Sequence, residues 1–158
     1  VRSHSPTNSL STKDTFGWAV QILLDHYRDA EAADNAPCES ALNLGIASAG
    51  IQEFGVANGL FQAAFDCLTD ERKAIVAVHW ADTMIRTGRG PKALALLEQA
   101  AQESPEHFDT RWAIARTLAQ LGRPSEAREH YDALLALEDI APDAKTRLQT
   151  ERDALPQQ

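Results

Sequence analysis

The chain has 158 residues, 44% hydrophobic and 24% charged, the balance of an ordinary folded domain and not of a disordered or fibrous chain. A formal net charge of −8 argues against a protein built to grip a phosphate backbone, which needs clustered Lys and Arg, so nucleic acid is not expected as a partner. The acidity is concentrated early: residues 1–70 set Arg2, Lys13 and Arg28 against nine carboxylates, whereas 71–158 hold twelve basic and fourteen acidic residues.

Residues 1–11 are polar and Ser-rich, without periodicity, and read as a flexible tail. After Ser11, a capping residue, Phe16, Val20, Leu23, Tyr27 and Ala30 recur at helical steps, predicting an amphipathic helix over about 12–33. Pro37 is suited to a first helical turn and opens a second helix, about 37–53. Gly55 then precedes the run VANGLFQAAFDCL, and Thr69 and Asp70 sit where an N-cap and a favourable first-turn charge belong for the helix that Gly88 ends. Pro91, Pro105, Pro124 and Pro142 each stand near the start of an Ala- and Leu-rich segment, and Gly88 and Gly122 just past the end of one. No stretch alternates like a strand, so the expectation is an all-α chain of eight helices joined by short turns.

Chemistry-bearing residues form no convergent set. Cys38 and Cys67 make no CxxC motif and read as two small buried thiols. His26, His79, His107 and His130 lack HxxxH or HExxH spacing, His79 reading as a packing or surface residue beside Trp80, and GRGP at 88–91 is too short for a phosphate-cradling loop. Carboxylates fall mostly on polar helix faces, where solvation accounts for them, so no catalytic residue, metal or cofactor is expected and the chain is not read as an enzyme. No apolar run is long enough to cross a membrane and no signal-peptide pattern is visible, so no membrane insertion is expected; the location stays open, the cytoplasm being favoured on these grounds alone.

Gly88 and Gly122 are 34 residues apart, and Gly55 and Gly88 are 33 apart. A period near 34 with two helices per unit marks a solenoid, in which each helix pair must stack on its neighbours to bury its apolar face. In one unit Trp80 and Ala81 are followed by Met84, Gly88, Ala93, Leu97, Ala100 and Pro105; in the next come Ile114, Ala115, Leu118, Gly122, Ala127, Tyr131 and Leu134. A looser unit runs through Leu44, Ala47, Ser48, Ile51, Gly55, Leu60, Ala64 and Cys67. This pattern resembles the tetratricopeptide repeat family over about residues 38–139. The resemblance implies a right-handed solenoid of antiparallel helix hairpins, with repeats at about 38–70, 71–104 and 105–138 and end helices at about 12–33 and 142–155, in one domain over 12–155.

The resemblance also implies binding on the concave surface of the first helices. That register selects Ile75, Val78, Asp82, Ile85 and Arg86 in one unit and Asp109, Trp112, Arg116 and Gln120 in the next, with Leu42, Gly45, Ala49, Gln52 and Glu53 in the loose unit. Trp112 is the expected aromatic anchor or else packs under the last helix, Arg116 the carboxylate-seeking group, and Arg86 is expected to pair with Asp82 one turn before it. The expected function is a protein–protein interaction module or adaptor that holds a peptide or partner helix. The alternatives are a self-associating scaffold, and a non-catalytic regulatory subunit or fragment of a larger enzyme. A further possibility places helix 12–33 inside the groove as a plug.

Overall fold

The computed structural model describes residues 12–32 and 37–156; residues 1–11, where the tail is expected, together with 33–36 and 157–158, lie outside the described residues. The described residues form eight helices and no strand: α1 Thr12–Ala32, α2 Cys38–Gly50, α3 Phe54–Cys67, α4 Asp70–Arg86, α5 Gly90–Glu103, α6 Phe108–Gln120, α7 Pro124–Leu135 and α8 Pro142–Asp153. The pairs α2/α3, α4/α5 and α6/α7 pack as hairpins and stack in order, with α1 against α2 and α8 against α7. The architecture is an all-helical, tetratricopeptide-like stack.

The turn inside each hairpin reveals the true period. Gln52, Gly88 and Gly122 have φ of 68°, 75° and 72°, the left-handed conformation that ends a helix. In each case the next backbone N–H returns to a carbonyl of the last turn: Glu53 to Ser48 at 2.9 Å, Arg89 to Met84 at 2.8 Å and Arg123 to Leu118 at 3.0 Å. The first unit is therefore offset by 36 residues from the second, not by 33, because the left-handed position is held by Gln52 while Gly55 lies within the first turn of α3. In the corrected register Leu44 and Gly45 match Trp80 and Ala81, replacing the expected pair Ala47 and Ser48.

Packing follows that register. Ala57, Ala93 and Ala127 are fully buried, as are Phe61, Leu97 and Tyr131 one turn later, so a small residue lets each second helix approach and a large one fills the space behind it. Gly45 is small for a definite reason: a Cβ there would stand 2.8 Å from the Phe61 ring. Between layers, Trp80 meets Phe65 edge-on at 5.8 Å and donates its indole N–H to Asn58 at 3.0 Å, so its polar edge is not stranded in the core.

The cysteines correct the expectation of two free thiols. Cys38 at the start of α2 and Cys67 at the end of α3 form a disulfide with Cα atoms 6.0 Å apart. A hairpin brings those two ends together whatever their separation in sequence, and the distance falls within the ordinary range for a bridge.

Candidate functional site

Helices α4 and α6 lie side by side, and their facing residues define a seam. Val78, Ala81, Asp82 and Ile85 of α4 and Ala113, Arg116, Thr117 and Gln120 of α6 line a shallow depression of about 60 Å³. Helical spacing puts these side chains on one face of each helix, and the small buried Ala81, Ala113 and Thr117 form the floor. The Thr117 hydroxyl donates to the Ala113 carbonyl at 2.7 Å, so the floor carries no orphaned hydroxyl there. Drug-sized ligands occupy cavities of roughly 300–1,000 Å³. This seam is a surface for a chain to lie along.

Not every expected residue joins it. Val78, Asp82, Arg116 and Gln120 come together as the register requires, with Ile85 beside them. Ile75 is half-buried against the core. Asp109 stands apart, on the rim of an open cavity of about 590 Å³ at the α5–α6 junction, with Glu71, Glu106 and His107. His107 serves the fold, its Nδ1 accepting from the Thr110 amide at 3.3 Å to cap α6.

One polar expectation changes, and of the two positions expected for Trp112 the structure shows the one beneath the last helix. Arg86 makes no ion pair with Asp82; its guanidinium lies 4.8 Å from the centroid of the Phe54 ring, where a planar cation gains from the aromatic face. Trp112 donates its indole N–H to Glu151 Oε2 at 2.7 Å and meets Phe108 edge-on at 5.8 Å, so its polar edge is committed to α8. Its ring also supports the Arg116 guanidinium, 5.5 Å from the centroid, and thereby helps to hold that group at the seam.

Glu151 has no helical-repeat signature and escaped the sequence reading. The same Oε2 accepts from the buried Tyr131 hydroxyl at 3.0 Å. Burial first, and then the Glu151 carboxylate, push the Tyr131 phenol above its usual range. On α4, His79 lies nearly parallel to Phe61 at 6.5 Å; although the residue is exposed, partial desolvation holds its imidazole below the usual histidine range, against the opposing pull of Asp82 and Asp109.

In the first hairpin the corrected register moves the candidate surface. Gly45 faces Phe61, Gln52 forms the turn and Glu53 precedes α3, so none of these takes a seam position. Leu42 takes the register of Val78 but is buried, Ala49 takes that of Ile85, and Ile46, which the 33-residue offset passed over, is exposed at the register of Asp82. Helix α1 does not plug this surface. It meets α2 around Ser40, Asn43, Leu44 and Ala47, the equivalents of Val76, His79, Trp80 and Thr83, several of which face α3 in the next layer.

The repeat geometry agrees with comparison to known families. Residues 84–148 match the tetratricopeptide repeat family. The match runs from the last turn of α4 into α8, and the common turn geometry carries the same pattern back through α2 and α3. Tetratricopeptide repeats are generally protein–protein interaction modules. Comparison with curated proteins and with solved structures gave no match. Among the described residues, no helix is long and apolar enough to cross a membrane, and no group of three or more His, Cys, Asp or Glu is placed to hold a metal ion.

Proposed function

We propose that this chain is an adaptor that holds a peptide or helix of a partner protein along the seam between α4 and α6. The observation that carries the reading is the meeting of Val78, Ile85, Asp82, Arg116 and Gln120, from two successive first helices, on one surface that no other part of the described chain fills. Val78 and Ile85 offer apolar contact, and Arg116 offers a forked donor suited to a carboxylate. Asp82, on the opposite side of the seam, selects for a basic or hydrogen-bond-donating group beside that carboxylate. The partner segment is thus amphipathic and of mixed charge. The reading assigns no reaction to this chain.

Affinity capture from the native cell extract tests it, with the intact protein and a Val78→Asp/Arg116→Glu variant run in parallel and circular dichroism confirming that both are folded. A protein retained by the first and lost by the second supports seam binding. Equal retention by both places the interaction on another surface and removes the proposal.

A further inference from the structure

Helix α1 is amphipathic twice over. Val20, Leu24 and Tyr27 are buried on one side, which packs against α2. At 3.6 residues per turn, Trp18 and Ile22 fall on the opposite side, and they are 68% and 37% exposed. Phe16 and Leu23 flank the buried side at 51% and 56% exposure. Isolated apolar residues on a surface need no explanation, but Trp18 and Ile22, one turn apart on the outward side, form a small apolar patch away from Phe16 and Leu23. Among the described residues, the second helices α3, α5 and α7 each pack between two neighbours, whereas the main contact of α1 is with α2.

Charge selects what would cover the outward side. Asp25 and Asp29 continue the line of Trp18 and Ile22 along the same side of the helix, at steps of three and four residues, with Asp25 just beside that pair in angle around the axis and Asp29 between them. Arg28 pairs with Asp25 at 3.3 Å, which leaves the stripe net acidic. A second copy of this chain presenting the same face would set carboxylates against carboxylates in a parallel pairing, or Asp25 and Asp29 against Ile22 and Trp18 in an antiparallel one, so self-pairing through α1 is disfavoured either way. A helix with an apolar stripe bordered by Lys or Arg meets the surface on both counts, placing apolar side chains over Trp18 and Ile22 and cations over Asp25 and Asp29.

We propose that the outward face of α1 is a second docking surface, separate from the α4–α6 seam, for a basic amphipathic helix of a partner protein. The probe is a dye-labelled, ~18-residue Leu/Lys amphipathic helix, with a Leu/Glu counterpart as control, followed by fluorescence anisotropy at physiological salt. The substituted residues on α1 are exposed and Val78 is half-buried, and circular dichroism checks that each variant keeps its helix content. The intact protein binds the Leu/Lys peptide and not the Leu/Glu one. Trp18→Ser/Ile22→Ser, which leaves net charge unchanged, weakens binding about tenfold or more. Asp25→Lys/Asp29→Lys shifts preference toward the Leu/Glu peptide, and the seam variant Val78→Asp/Arg116→Glu binds the Leu/Lys peptide as the intact protein does. Binding undiminished by Trp18→Ser/Ile22→Ser reduces the effect to bulk attraction by an acidic protein and overturns the proposal. Loss of binding in the seam variant, or concentration-dependent dimerisation abolished by Trp18→Ser/Ile22→Ser, overturns it as well.

Discussion

Gln52 adopts the left-handed conformation that Gly88 and Gly122 adopt in the later turns. For a residue with a Cβ this costs roughly 1–2 kcal/mol, and glycine avoids the cost. Gln52→Gly is therefore expected to stabilise the protein by about 1 kcal/mol, and Gly88→Ala to destabilise it by a similar amount, as read from urea unfolding midpoints. A loss of stability in Gln52→Gly would contradict the assigned turn. The same residue explains the misread register: a glycine was available at position 55, and residue type alone gives no sign that the backbone turns at Gln52. His79 supplies a second expectation at this scale. Its ring is exposed on one side and only partly desolvated, which lowers its folded pKa, so the unfolded chain takes up the proton first; its small contribution is present above about pH 6.5 and is lost as pH falls through the folded pKa. His79→Gln should flatten the stability profile between pH 7 and 5, and an unchanged slope would show that the imidazole is not desolvated in the folded protein.

The helices themselves were legible wherever proline and glycine punctuate apolar periodicity. Pro124 and Pro142 begin α7 and α8, and Gly88 and Gly122 follow the ends of α4 and α6. What was not legible at this scale is contact between elements. Cys38 and Cys67 become neighbours only when α2 and α3 fold back on each other, and Glu151 reaches Trp112 and Tyr131 only when α8 docks. The bridge closes the open end of the first hairpin, which has the weakest repeat pattern and a glycine, Gly45, inside its first helix. On the chain-entropy estimate, a loop of this length contributes about 3–4 kcal/mol by restricting the unfolded state. Reductant, or Cys38→Ser/Cys67→Ser, should lower stability by that order, with extra hydrogen exchange confined to α2 and α3. A reduced protein as stable as the oxidised one would contradict the bridge.

At the scale of the whole molecule, repetition made the fold readable, because two well-matched units imply a further helix pair before them, although the register of that degenerate pair is set locally at Gln52. The binding surface was readable only in part. Asp82, Val78, Arg116 and Gln120 follow from helical register, but register leaves Trp112 open between the groove and α8, and it does not encode the contact that draws Arg86 toward Phe54. Ile46 emerged once the period of the first unit was corrected. The stack thus offers two surfaces of different character: a shallow seam of mixed charge between α4 and α6, and an acidic, aromatic face on α1. Whether the seam holds the partner is decided by amide hydrogen exchange of the protein with and without the captured partner. Seam binding slows exchange in α4 and α6, around residues 75–86 and 109–120, and does not slow it in the Val78→Asp/Arg116→Glu variant. Protection confined to α3, α5 and α7, with α4 and α6 unchanged, would contradict it.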